Sequence, residues 1–370
     1  MALIDDEGRL FGVVNVIDAL VVLLVLAVLI AGVALLNPFA STETAEQDAP
    51  LETAERYATI DLGEQRPFVA EQISAGDVTS SSDVTVTDVY VGPASGSNVS
   101  VTARVRINGS LAEDGNSFRY LGDGVRQGGA FTLETDEYTA NGTITRLDTE
   151  GVVLGSDTTA VVLRTTVSNT VANAIDIDDT FNLAGRSIAT VQAANVYPTS
   201  NDSTRRVLLG LDLETVTRES GAYFGGDRAA LGSTIPFETD RYELSGEVIG
   251  RDAYVPNGSV TTETISVKVE NVDPEFADGI EVGMVEESMD EPTAEIVDKR
   301  TEPATVILTS DDGNIYERTH PRNEDVYLTV DATVRETASG YQFHAQSLKE
   351  GDTITLDFGT ITVRGTVTDI

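Results

Sequence analysis

Two hydrophobic rhythms divide the chain. Ala19 to Leu36 (ALVVLLVLAVLIAGVALL) runs for 18 residues without a polar side chain, and Val13, Val14, Val16 and Ile17 extend it backwards. At 1.5 Å of rise per residue such a helix spans about 27 Å, close to the ~30 Å hydrocarbon core of a bilayer. The pattern predicts one transmembrane helix over residues 12–37, closed by Asn37-Pro38, after a short N-terminus at 1–11 and before an acidic linker at 38–56. Beyond Arg56 the period drops to two. Val, Ile, Thr and Tyr alternate with polar residues between Gly, Asp and Asn, the pattern of short half-buried strands.

The strand-rich part repeats. FTLETDEYTANG (Phe131–Gly142), IPFETDRYELSG (Ile235–Gly246) and ITLDFGTITVRG (Ile354–Gly365) share length and pattern. Leu133, Phe237 and Leu356 hold the third place; Tyr138, Tyr242 and Ile361 hold the eighth. A Gly-Gly, Gly-Ser or Gly-Asp step leads into each. Earlier in each copy, AEQISAGD, ANAIDIDD and ADGIEVGM keep Ala and Ile three apart, the spacing at which one helical turn seats two residues on a core. Three modules follow, at 57–150, 158–253 and 262–370, each of ordinary domain size. The expected fold is mainly β: the N-terminal transmembrane α-helix, then three tandem small β-barrel or sandwich-like modules. SAGD in the first half of one module and KEGD in the second half of another point to barrels built from two similar halves. A hairpin place that takes Asp136, Asp240 or Gly359 reads as a permissive turn and not a catalytic acid. Glu134, Glu238 and Asp357 read as solvent-facing strand-end acids, and Gly142, Gly246 and Gly365 as bulges or points of close backbone approach.

Charge narrows the partners. Sixty-one acidic against 24 basic residues give a formal charge of −37, so nucleic acid is not an expected partner. Lysine occurs only at Lys268, Lys299 and Lys349. So acidic a surface suits molar salt, where the Debye length falls to ~3 Å and self-repulsion is screened; the chain reads as halophilic. The absence of cysteine excludes disulfides, thiol chemistry and Cys-based zinc sites. Asp5, Asp6 and Glu7 outweigh Arg9 before an apolar run too long for a signal peptide, so an uncleaved anchor is expected. No basic residue follows the span until Arg56, which places the N-terminus in the cytoplasm and the modules outside the cell membrane, with the lipid bilayer as a partner. Five N-glycosylation sequons, at Asn98, Asn108, Asn141, Asn201 and Asn257, all lie beyond the span. Asn15 and Asp18 sit three apart at its mouth. They are candidates for contact with a membrane partner, against the plainer reading of Asp18 as a headgroup-level residue at a helix N-terminus.

Catalytic spelling is missing. No G-x-S-x-G, P-loop or H-E-x-x-H motif occurs. GDGVRQGG (Gly122–Gly129) reads as a loop and not a dinucleotide fingerprint. His320, in a loop before Pro321, and His344, alternating with Phe343 in a strand, are the only histidines, too few for a triad or a zinc site. EESMDEP (Glu286–Pro292) reads as a charged loop, and TSDDGNIY (Thr309–Tyr316) as a hairpin turn without calcium-loop spacing. No catalytic residue, cofactor or metal is expected.

LIDDEGRLFGVVNVIDALVVLLVLAVL (Leu3–Leu29) resembles the opening of the family known as domain of unknown function 4330, whose members carry LID-x-x-GRLFG-x-x-N-x-x-D ahead of one membrane helix. AEQISAGD and LGSTIPFETDRYELSG are similar to its A-x-x-I-x-x-GD and VG-x-x-L-x-L-x-T-x-x-Y-x-x-x-G elements. The resemblance implies a single-pass anchor and a β-rich extracytoplasmic part, and no activity. The expected function is a non-enzymatic envelope scaffold or binding protein, with an envelope or membrane protein as partner. A shuttle for lipids or other hydrophobic ligands is the alternative: one helix ahead of tandem small barrels resembles the plan of the mammalian-cell-entry family, and predicts exposed apolar loops and rings. A carboxylate-based glycan hydrolase comes third and needs two acids in one cleft.

Overall fold

The computed structural model describes residues 9–10, 14–15, 52–112, 115, 117–218, 220–309 and 315–370. Strands β1 (Arg9–Leu10) and β2 (Val14–Asn15) pair antiparallel. Of the stretch expected to form the transmembrane helix, Val14 and Asn15 are strand. The rest of the expected span, Asp18 included, lies outside the described residues. Among those described, no helix is long and apolar enough to cross a membrane. Two compact units divide the chain, Met1–Thr53 with Ser110–Ser117 and Ala54–Gly109 with Phe118–Ile370. The second holds nearly all of three curled antiparallel sheets.

The first sheet contains β3 (Thr53–Gln65), α1 (Pro67–Gln72), β4 (Val84–Pro93), β5 (Val99–Leu111), β6 (Phe118–Tyr120), β7 (Asp123–Gly124), β8 (Ala130–Glu134) and β9 (Thr139–Asp148). The second repeats the order with β10 (Ser156–Ser168), α2 (Asn169–Ala172), β11 (Thr180–Leu183), β12 (Arg186–Pro198), β13 (Thr204–Arg218), β14 (Gly221–Phe224), β15 (Asp227–Arg228), β16 (Thr234–Glu238) and β17 (Glu243–Arg251). The third has β18 (Ser259–Val272), α3 (Pro274–Gly279), β19 (Val285–Ser288), β20 (Glu291–Thr309), β21 (Ile315–Thr337), β22 (Gly340–Phe343), β23 (Gln346–Ser347), β24 (Thr353–Asp357) and β25 (Thr362–Asp369). Each short helix delivers its Ala and the Ile three residues on to the core. Ala70 with Ile73, Ala172 with Ile175, and Ala277 with Ile280 are all buried.

The spatial order β11-β12-β13-β10-β17-β16 is a palindrome under exchange of the module's two halves. One backbone device, used six times, explains why. A residue at positive φ (Gly76, Gly128, Asp178, Gly232, Gly283 or Gly351) sits third in a four-residue turn. It donates its N–H to a core carbonyl: Val86, Ile144, Val191, Val248, Ile296 or Val367, respectively. The same core residue returns its own N–H to the carbonyl of the next turn residue. Directly after each of these six buried residues the ladder slips by one, leaving Thr87, Thr145, Gln192, Ile249, Val297 or Thr368 as a bulge. Bulges bend and twist a strand, so two per module curl the sheet. In the second module the edges β11 and β16 meet across Phe181 and Phe237, ring centroids 6.1 Å apart. The left-handed position costs glycine little, which accounts for five of the six turns. Asp178, φ +67°, is the exception.

The repeated hairpin locks the two halves together. Tyr138 Oη donates to Asp77 Oδ2 at 2.7 Å, and Tyr242 Oη to Asp179 Oδ2 at 2.7 Å. In the third module Ile361 and Met284 stand at those two places, and both pack on the core. A polar pair has been exchanged whole for an apolar one. Gly142 and Gly365 meet the neighbouring strand so closely that a Cβ would collide, at 2.6 Å from Asp61 O in the first and 2.9 Å from Lys268 O in the second. Gly246 is looser, 3.1 Å from Leu163 Cβ. Gly359 has φ +78°, which Asp136 and Asp240 do not share, so the permissive turn exists in the third copy alone. Glu134 and Glu238 are exposed, but Asp357 is half-buried and paired with Arg205 at 2.7 Å.

Candidate functional sites at the junctions between modules

Each sheet carries a small two-stranded hairpin closed by a two-residue turn: Leu121-Gly122, Gly225-Gly226 and His344-Ala345. In two of the three, that turn is a knob seated on the preceding module. The sockets also repeat, since Pro93, Pro198 and Pro303 occupy the same register at the end of β4, in β12 and in β20. At the first junction Gly225 N–H donates to Tyr90 Oη at 2.7 Å, and Gly226 N–H to Pro93 O at 3.4 Å. The Tyr90 hydroxyl proton has the Glu214 and Tyr223 carbonyls within 3.2 and 3.3 Å. Burial pushes this phenol up to about 12. Arg186 Nη2 donates to Ile73 O, and Leu154 N–H to Asp88 Oδ2.

Beside this junction a cleft of about 950 Å³ opens between the first two sheets, walled by Ile144, Leu147, Leu154 and Val216. Its volume lies within the ~300–1,000 Å³ range of small-molecule sites. Arg104 forms part of it, nearly buried and fully engaged: Nε to Gly151 O at 3.0 Å, Nη1 to Thr59 Oγ1 at 2.9 Å, Nη2 to Asp148 Oδ2 at 2.8 Å. Burial alone would raise the Asp148 carboxyl, but hydrogen bonds from Arg104 and Arg146 outweigh it and hold the group below the usual carboxylate range. Asp148 is thus an ionised structural partner, not a proton donor. Arg218 lies over the Tyr223 ring at 4.7 Å on the same cleft.

At the second junction the knob residue is His344. Its Nε2 lies 2.7 Å from Glu286 Oε2. Glu286, 1 % exposed, also accepts from Thr293 Oγ1 at 2.8 Å and from the Asp357 N–H at 2.8 Å. The imidazole stacks on Tyr197 of the second module, centroids 4.9 Å apart. Arg206 Nη1 donates to the His344 carbonyl, and Val196 N–H to Ser288 Oγ. A cavity of about 430 Å³ adjoins, lined by Arg206, His344, Lys349 and Asp352. Among the described residues no hydroxyl bonds to His344, and no three His, Asp or Glu side chains converge as a metal site.

Several sequence readings are corrected here. EESMDEP is not a charged loop: Val285–Ser288 and β20 form a hairpin over Met289-Asp290, both at positive φ, and Glu286 points inward. His344 lies in a tight turn and not a strand; His320 lies in β21 and not a loop. Thr309 pairs with Ile315, so TSDDGNIY spans a hairpin whose tip, 310–314, lies outside the described residues. GDGVRQGG forms β7 and one of the six turns. Of the sequon asparagines, Asn108, Asn141, Asn201 and Asn257 are exposed and Asn98 is half-buried. Asn15 belongs to β2. Reading by motif missed Glu286, Tyr90 and the knob turns. The one available signal was the 105-residue spacing of the three prolines.

Curled antiparallel sheets in tandem, joined by knob-and-socket junctions, define a β-repeat protein. The chain belongs to the family described as domain of unknown function (DUF4330), matched over residues 1–148 and 253–370. The matched stretches hold the first and third modules, and the second lies between them as an inserted copy would. LGSTIPFETDRYELSG, in that second module, is therefore outside the family match, whereas AEQISAGD is inside it. No curated protein and no solved structure matches the chain.

Proposed function

We propose that this is a non-enzymatic scaffold of the cell envelope, anchored by its N-terminal apolar run and presenting three β modules outside the membrane. The supporting observation is the pair of seated junctions. Hydrogen bonds at Tyr90, and from Arg206 to the His344 carbonyl, Val196 N–H to Ser288 Oγ and Arg205 to Asp357, fix each module to the next, as a stiff spacer requires and independently hinged binding domains do not. The acidic surface suits a halophile's exterior. The chain has no cysteine, so spin labels can be placed at Phe68→Cys and Val282→Cys, both exposed. The expected result is one narrow distance distribution between the first and third modules. A broad distribution would remove the stiff-scaffold reading.

The cleft favours a second reading, a carrier of hydrophobic ligands. Apolar walls with the Arg146 and Arg218 guanidiniums fit an amphipathic anion in an otherwise acidic chain. Native mass spectrometry of the full chain in mild detergent at molar salt distinguishes the two. A ring-sized assembly carrying lipid supports the carrier, provided Val216→Trp, which fills the cleft, removes the lipid. A bare monomer supports the scaffold.

A further inference from the structure

The knob hairpin occurs three times, and among the described residues only the first is unseated. Gly225 and His344 contact the preceding module, whereas Leu121, at the equivalent place, is seated on no other module among the described residues. It is 74 % exposed, the most exposed large apolar residue among those described, and it holds φ +49°, a conformation that favours glycine or asparagine over leucine. The seated positions carry a residue with no side chain and one that hydrogen-bonds. The free position carries an aliphatic one.

Two further features decide what meets it. Arg56 lies over the Phe118 ring at 5.6 Å, which brings the first turns of β3 to the base of the β6–β7 hairpin. The knob therefore sits beside the start of β3, where the chain enters the first module. Arg119 and Arg126, on the hairpin and just after it, are exposed, with Asp123 the single acid between them.

We infer that the Leu121 hairpin docks on the bilayer itself, the leucine entering the interfacial layer and Arg119 and Arg126 meeting anionic headgroups. This rests on the anchored reading proposed above, and it orients the first module on the membrane. The test uses the full-length chain, which has no native cysteine. Leu121→Cys and, as control, the exposed Leu231→Cys carry an environment-sensitive fluorophore in vesicles of phosphatidylglycerol and phosphatidylcholine. Shallow nitroxide lipids should quench the label at 121 by about twofold or more, as at an interfacial anchor, and leave the label at 231 unchanged. In unlabelled protein, hydrogen exchange over 118–125 should slow on reconstitution, and Leu121→Asp should abolish that slowing. If the chain does not float with vesicles, the anchored reading itself fails. Flotation with a label at 121 open to aqueous iodide overturns the docking alone. A label shielded from iodide yet unquenched by nitroxide lipid assigns the knob to a protein and also overturns it.

Discussion

The exchange of Asp and Tyr for Met and Ile across the repeat makes a quantitative prediction. In the second module the Tyr242–Asp179 bond joins the first-half turn to the second-half hairpin, with the Asp179 side chain 13 % exposed and Tyr242 6 % exposed. A hydrogen bond to a charged acceptor contributes about 1.5–3 kcal/mol, and an orphaned buried partner adds to the loss. Asp179→Met strands the phenol and also releases the Asp176 N–H, which Asp179 Oδ2 accepts at 2.9 Å; a cost of about 3 kcal/mol is expected. Tyr242→Ile leaves Asp179 with Arg241 and the Asp176 N–H, and about 2 kcal/mol is expected. The double variant reproduces the third module's pair, so it should cost about 1–2 kcal/mol less than the sum of the singles. Hydrogen exchange at the Val191 and Val248 amides, the core donors of this module's two turns, reads local opening free energies directly. Additivity within ~0.5 kcal/mol would refute the claim that the two places form one exchangeable unit.

Other outcomes follow from the junctions and turns. Glu286→Leu should cost about 3–5 kcal/mol, because it orphans His344, Thr293 and the Asp357 N–H inside the third module; denaturation at molar salt measures it. A cost below ~1 kcal/mol would show that the second junction does not depend on that carboxylate. The depressed Asp148 carboxyl stabilises the fold fully above its unfolded value of about 3.9, and that contribution disappears as pH falls through the lower folded value. Asp148→Asn should therefore lower stability at neutral pH and flatten the acid limb of the pH–stability curve below about pH 4. Asp178→Gly should stabilise the second module by about 0.5–1 kcal/mol, since it relieves the one non-glycine at the left-handed turn position, and thermal melting detects the shift.

What the sequence disclosed depended on whether the signal was local. Alternation of apolar and polar residues showed mainly β structure, and the Ala–Ile spacing showed the short helical turns, because both reflect burial within a few residues. The glycine steps before the repeated hairpins were legible as part of the repeat, and the structure shows them to be left-handed turns. They did not reveal that each turn grips a core residue 10 to 16 positions further on, a fact of tertiary structure. EESMDEP misled for the same reason. Four acids in seven residues look solvated, and only the fold shows that Glu286 faces His344, 58 residues away. Tyr90 gave no signal at all, since its partners lie more than 120 residues along the chain.

The knob turn shows how one repeated element is fitted to three neighbours by a single apical residue. At the first junction the apex must bring a backbone N–H to the Tyr90 hydroxyl, and a Cβ on Gly225 would stand 2.8 Å from Pro93 Cδ; glycine is the residue that fits. At the second, Tyr197 occupies the register of Gly92, which replaces a bare backbone with a ring. The apex there is His344, which stacks on that ring and reaches Glu286 in its own module. Socket and knob have changed together, as interacting neighbours do. Among the described residues no socket takes Leu121, and φ +49° favours glycine or asparagine over leucine. The docking proposed above, on an apolar surface outside the chain, accounts for a leucine at this backbone conformation.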